Sequence, residues 1–242
     1  MTDPALKAPA NAPVVITGVG KRIGLFLART FLSRGIPVVG TYRTHYPAID
    51  SLLEAGADLH QVDFYQAAQV DGFIEKIHHG YPVLRAIIHN ASDWLKDGDL
   101  ADCRDVMARM MCVHASVPYQ LNLAFADKLR AGRGDIIHIS DFVASKGSGK
   151  HIAYAASKAA MDNLTLSFAA KLAPHVKVNS IAPALVCFNE TDDEAYRVKA
   201  LSKALLPREA GYEELLACVD LLLASHYITG RILPLDGGRH LR

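Results

Sequence analysis

The chain carries almost no excess of charge: its formal net charge is +1 at pH 7, and neither Lys with Arg nor Asp with Glu gathers into a block. Nucleic acid and an anionic membrane surface are therefore not expected as main partners, which leaves a small molecule. Cysteine is sparse, and Cys103, Cys112, Cys187 and Cys218 lack the CxxC spacing of a metal site. Four scattered thiols are also too few for a disulfide framework, so reduced thiols and a cytoplasmic location are expected. No run approaches the roughly 18 apolar residues that span a bilayer, and residues 1–12 lack the apolar centre of a signal peptide. Those residues are expected to be a flexible tail. No repeat, low-complexity linker or HExxH pair is present, so one metal-free domain over 13–242 is expected.

What the chain does have is alternation. Pro13–Thr17, Pro37–Tyr42, Leu59–Phe64, Val83–His89, Ile136–Ser140, Val176–Ile181 and Arg231–Leu235 are short apolar runs rich in β-branched residues. Helical periodicity lies between them, beginning with Ile23–Ser33. Strands that are apolar nearly throughout and alternate with helices predict an α/β fold whose parallel sheet is covered on both faces. Ligands in such sheets lie beyond the carboxyl ends of the strands. The irregular stretch from Pro183 to Asp193, followed by an expected helix over Glu194–Leu205, interrupts the alternation and predicts a substrate loop near 183–208.

Chemistry enters at Tyr154-Ala155-Ala156-Ser157-Lys158. Residues four apart share a helix face, so a phenol and an ammonium can point into one space. A free tyrosine titrates at about pH 10, and a neighbouring ammonium lowers that value, which makes Tyr154 a candidate general acid. A glycine-rich turn, Thr17-Gly18-Val19-Gly20-Lys21-Arg22-Ile23-Gly24, joins the first strand to the first helix. Glycines there let the backbone approach a pyrophosphate, and the helix start offers unpaired N–H groups. The second strand ends in Thr41-Tyr42-Arg43-Thr44, with a cation where an NAD site usually has a carboxylate. Arg43, with Lys21, therefore favours NADPH over NADH.

Thr17-Gly18 with Gly24, Asn90-Ala91, Tyr154 with Lys158, Asn179 with Pro183, and Asp236-Gly237-Gly238 together resemble the short-chain dehydrogenase/reductase family over nearly the whole chain. The resemblance implies a seven-stranded Rossmann-type sheet, NADPH as cofactor and hydride transfer from its nicotinamide. It also implies that Gly18, Lys21, Arg22 and Ile23 hold the pyrophosphate and that Asp63 contacts the adenine. Asn90 and Ala91 would form a wall, with Tyr154, Lys158 and Pro183 around the nicotinamide riboside.

Three departures carry more information: Arg22 stands where the family usually has glycine, Asp141 where it has serine, and His114 where it has asparagine. Arginine and aspartate at the first two positions are similar to the pteridine reductases, as is Asn90-Ala91-Ser92-Asp93-Trp94. That likeness implies a dihydropterin substrate bonded by Arg22, Ser92, Asp141 and Tyr154 and covered by Trp94, a flat indole suited to stacking on a heterocycle. Tyr42–Asp50, Lys150–Lys158 and Leu235–Arg242 are also similar to a bacterial reductase of that group. Hydride would reach C6 of a 7,8-dihydropterin while N5 takes a proton, with Tyr154, Lys158 and Asp141 as catalytic residues. Asp141 opposes Lys158 in setting the tyrosine pKa, and which prevails stays open at this point. His114 is either a relay group with a pKa near neutrality or a packing residue. The other ten histidines are expected at surfaces. A carbonyl reductase of broad scope and a non-catalytic NADPH sensor are the competing readings. A homotetramer is expected, with the C-terminal Arg239–Arg242 reaching a neighbouring site.

Overall fold

A computed structural model describes residues 9, 11–98 and 102–242. Most of the expected tail over 1–12 lies outside the described residues, and Ala12 is already buried. The strands are β1 (Val14–Thr17), β2 (Val38–Tyr42), β3 (Asp58–Gln61), β4 (Ala86–His89), β5 (Asp135–Ile139), β6 (Lys177–Pro183) and β7 (Arg231–Leu235). They form one parallel sheet in the order β3-β2-β1-β4-β5-β6-β7. The order reverses between β1 and β4, and a crevice opens at the carboxyl ends of those two strands, where such sheets bind ligands.

Side chains alternate across the sheet and feed two cores. Val15, Ile87, Ile136 and Val178 face the helices α3 (Ala67–Gly80), α4 (Cys103–Met111), α5 (Val117–Ala124), α6 (Ala126–Gly132) and α8 (Ile152–Leu172). Ile16, Ile88, Ile137 and Ile181 face α1 (Arg22–Ser33), α2 (Pro47–Glu54) and α10 (Tyr212–Ala224). Two short helices complete the α set, α7 (Val143–Lys146) and α9 (Glu194–Leu201).

The third strand ends earlier than its apolar pattern predicts. Tyr65 N–H bonds the Asp63 carboxylate and Gln66 N–H bonds the Asp63 carbonyl, so the chain turns while Val62 and Phe64 stay buried. The helix expected over Glu194–Leu205 stops at Leu201. The expectation of surface histidines fails for His89 and His138, which are 2% and 0% exposed on β4 and β5. His89 Nε2 donates to Asn122 Oδ1 at 2.7 Å, and Asn122 donates to His138 Nε2 at 3.3 Å. His138 Nδ1 then donates to Thr165 Oγ1 at 2.7 Å, whose hydroxyl donates to the Met161 carbonyl. Each polar group handed on in this way has a partner, which makes burial of two imidazoles tolerable.

Candidate active site

The first turn is built by hydrogen bonds that cross from β1 to the end of β4. Thr17 Oγ1 accepts from the N–H groups of Asn90 and Ala91 at 3.0 Å each, and the Asn90 side chain donates back to the carbonyls of Thr17 and Gly18. Gly18 takes a φ of +76°, and a Cβ there would meet Ala91 Cα at 2.9 Å. A Cβ on Gly24 would fall 2.1 Å from the Gly18 carbonyl oxygen. Only glycine lets the turn and the start of α1 come this close. No side chain caps the start of α1, so its N-terminal amides remain available to a phosphate. Gly18, Lys21, Arg22, Ile23, Arg43, Asp63, Asn90, Ala91 and Ser92 line one cleft above this turn.

Arg22 is unusual in its backbone as well as its side chain. Its φ is +53°, a left-handed conformation that glycine adopts without strain and arginine does not. The guanidinium donates to the Cys187 carbonyl at 2.8 Å and to the Asn189 side-chain oxygen. It therefore ties the first turn to the loop after β6, where the sequence points it toward a phosphate or pterin oxygen.

Arg43 stands at the cleft rim, half exposed, and donates to Asp93 at 3.0 Å. Tyr65 donates to the same carboxylate oxygen at 3.0 Å, and the Arg109 guanidinium lies 4.7 Å from the Tyr65 ring centroid. The bond to Asp93 raises the pKa of Arg43. Asp93 belongs to the segment that also carries Ser92 and Trp94, so the cation at the end of β2 is joined to the expected pterin segment.

At the inner end of the site α8 supplies Tyr154 and Lys158. Its first free amides are capped from a distance, because Asp97 accepts from Ile152 and Ala153 N–H at 2.6 and 3.1 Å. Tyr154 is 9% exposed, and its hydroxyl donates to Asp141 Oδ2 at 2.8 Å. Lys158 donates to the Ile139 carbonyl at 2.9 Å, and its ammonium lies 5.7 Å from the Tyr154 ring centroid. Burial, followed by the charge of Asp141 and the bond to it, pushes the Tyr154 pKa well above the ordinary value. Of the two opposed influences that the sequence leaves open, the carboxylate and the dry surroundings prevail over Lys158, and the phenol stays protonated. Burial also raises Asp141 and pushes Lys158 down to about 8.

His114 reaches the site from one π-helical turn, Cys112–Ser116, inserted between α4 and α5. Ser157 donates to the Tyr154 carbonyl at 2.7 Å, so its oxygen accepts from His114 Nδ1–H at 2.8 Å. His114 is fully buried, and burial, aided by the charge of Lys158, pushes its pKa down to about 2. The imidazole is therefore neutral, its bare Nε2 accepts from the Ser92 hydroxyl at 2.8 Å, and the tautomer follows from the network. Burial thus speaks against a role that depends on titration near neutrality, and the ring also bonds the Met110 backbone, as a packing histidine would.

Trp94 is 59% exposed and lies against His151 with ring centroids 4.1 Å apart and the planes tilted by 32°, so it is not a core tryptophan. Pro183 closes β6, and Phe142, next to Asp141, bonds its carbonyl through N–H. Asp162, missed by sequence reasoning, accepts from Ser180 at 3.0 Å, and its charge acts to raise the Lys158 pKa. Its place four residues after Lys158 on the same helix is the signal that could have found it. The Ser92–His114–Ser157 chain has no such local signal.

A family model described as enoyl-(acyl carrier protein) reductase matches residues 18–240. The chain is 53% identical over 236 residues to a dihydromonapterin reductase of Escherichia coli O6:H1 strain CFT073, covering 96% of this chain and 98% of that one. A crystal structure of FolM alternative dihydrofolate reductase 1 from Brucella suis in complex with NADP is similar, with a TM-score of 0.85 and 28% identity over 96% of each chain. Its counterpart from Brucella canis, also with NADP, has a TM-score of 0.83 and 27% identity, covering 96% of this chain and 95% of that one.

Proposed function

The chain belongs to the short-chain dehydrogenase/reductase family, and from that membership we propose that it is an NADPH-dependent oxidoreductase acting on dihydropterins. It reduces 7,8-dihydromonapterin to tetrahydromonapterin and has dihydrofolate reductase activity on the side. The observation that carries this reading is the 2.8 Å bond from Tyr154 to Asp141, an aspartate where a carbonyl reductase of the family would usually have serine.

NADPH, when bound, supplies the hydride for C6 of the pterin. The uncapped start of α1 with Gly18, Lys21, Arg22 and Ile23 suits its pyrophosphate, and Arg43 suits the 2′-phosphate. Asp63 is assigned to the adenine, Asn90 and Ala91 to the wall, and Tyr154, Lys158 and Pro183 to the nicotinamide riboside. Ser92, Arg22, Trp94 and Asp141 hold the pterin ring. Tyr154 keeps its proton at neutral pH and passes it to N5; Asp141, whose carboxyl is itself raised, restores it. Burial of this pair excludes competing water from the transfer.

A homotetramer is supported by the exposed Met107, Tyr119, Leu123 and Leu166, apolar side chains on α4, α5 and α8. Arg239 lies 5.2 Å from the Phe142 ring of its own chain, which supports a role for it beside Asp141 of the same subunit. A place in cytoplasmic one-carbon metabolism fits a tetrahydropterin product. No helix among the described residues is long and apolar enough to cross a membrane.

The test is NADPH oxidation by the purified protein with 7,8-dihydromonapterin, dihydrofolate and a simple ketone in parallel. Preference for the dihydropterin supports the reading. Turnover of the ketone alone would replace it with a carbonyl reductase, and NADPH binding without turnover of any substrate would make the protein a sensor.

A further inference from the structure

The net charge of +1 conceals a local concentration of cations that only the fold assembles. Lys146 closes α7, Lys150 follows in the loop before α8, Lys199 lies on α9 and Lys203 just beyond it, and Arg239 belongs to the C-terminal turn. Lys146 and Arg239 approach the same ring, that of Phe142, at 5.7 and 5.2 Å. Phe142 directly follows Asp141, so this rim begins one residue from the carboxylate that accepts from Tyr154. None of the five cations forms an ion pair among the described residues. Asp236, the acid in the C-terminal turn, is already engaged by the His240 ring and the amides of Gly238 and His240. Burial and then the charges of Arg239, Lys199, Lys150 and Lys146 lower the pKa of Lys203, as expected when like charges crowd without a counter-ion.

We propose that Lys146, Lys150, Lys199, Lys203 and Arg239 form a subsite for an anionic tail on the pterin substrate, with the carboxylates of a glutamyl chain as its occupant. The proposal rests on the dihydropterin activity assigned above. A neutral polyhydroxyl side chain leaves these cations without a partner, whereas the tail of dihydrofolate ends in two carboxylates and each added glutamate brings another. Arg242, bonded to the Ser202 carbonyl at 2.7 Å, extends the rim for a longer chain.

The experiment compares KM for 7,8-dihydromonapterin, dihydrofolate, its triglutamate and a dihydropterin carrying a side-chain phosphate, at low and high salt. KM is expected to fall about twofold to fivefold per added glutamate, and the gain to shrink at high salt, as it does for exposed charge pairs. The double variant Lys199→Gln, Lys203→Gln should raise KM for the triglutamate more than for dihydromonapterin. A gain for the phosphate alone would keep an anionic subsite but overturn the glutamyl assignment. If dihydromonapterin is turned over while neither tail lowers KM at low salt, the subsite is overturned and the activity stands. If no dihydropterin is turned over, the activity itself fails, and the proposal with it.

Discussion

The Ser92 hydroxyl donates to His114 Nε2 across 2.8 Å, so its one proton is engaged and its oxygen is left as an acceptor, suited to a pterin amino group or ring N–H. Replacing His114 by Phe frees the serine to rotate and leaves Ser157 without its donor. We expect KM for the dihydropterin to rise about tenfold, the scale of one hydrogen bond of 1–1.5 kcal/mol, with KM for NADPH moving less. Ser92→Ala should act alike, and the double variant should be far from additive. Additive losses in steady-state kinetics would separate the two residues.

Asp93 already holds Arg43, so on the proposed reading Arg43 would exchange one anion for another when the 2′-phosphate arrives. Arg43→Ala should weaken NADPH binding about tenfold to a hundredfold, the range for hydrogen bonds to charged groups, while NADH binding changes little. Fluorescence titration with both nucleotides reads this directly. Equal losses for the two would show that the 2′-phosphate lies elsewhere.

Tyr154→Phe removes the hydroxyl but leaves Lys158 on the Ile139 carbonyl. A loss of about 10²–10⁴ in kcat is expected for a general acid, with NADPH binding largely kept. Since Asp141 has a raised pKa, kcat should fall as pH rises through that value, and Asp141→Asn should flatten this limb. Single-turnover hydride transfer that is unchanged in Tyr154→Phe would assign the proton to another source.

Acid should weaken the fold through its buried imidazoles. His89 is pushed down to about 4, His114 to about 2 and His138 well below the ordinary value, all by burial. Unfolded, each titrates near 6.5, so their contribution is complete above that pH. It is lost as pH falls through 6.5 toward the folded values, at about 1.4 kcal/mol per pH unit for each histidine. Asp135, raised to about 6 by burial, works in the opposite sense between about 6 and 3.8 and offsets one of the three. Thermal unfolding from pH 7.5 to 5 should show a falling Tm, with a shallower slope in His138→Gln.

The inner strands were legible because a sheet covered on both faces makes them nearly continuous apolar runs, as Val14–Ile16 and Ala86–Ile88 show, whereas the edge strands β3 and β7 are only partly buried. The cofactor turn was legible for a local reason, since Gly18 and Gly24 act within one strand–helix junction. Three features were not. Val62 and Phe64 look like strand but bury their side chains from a turn. His89 and His138 look like surface residues until Asn122 and Thr165, distant in sequence, satisfy them. The tyrosine pKa depended on how dry the Tyr154–Asp141 pair is, and burial is a property of the finished packing.

The wide turn at Cys112–Ser116 has a consequence for how this chain tolerates change in length. One residue advances an α-helix by about 100°. The wide turn takes up one extra residue, so removing any single residue between Met111 and Val117 would close it into ordinary helix with both flanks still in phase. Tyr119 and Asn122 would keep their bearings, while His114 would lose its reach to Ser92 and Ser157. The rod should therefore tolerate the loss of one residue here, and the hydrogen-bond relay through His114 should not.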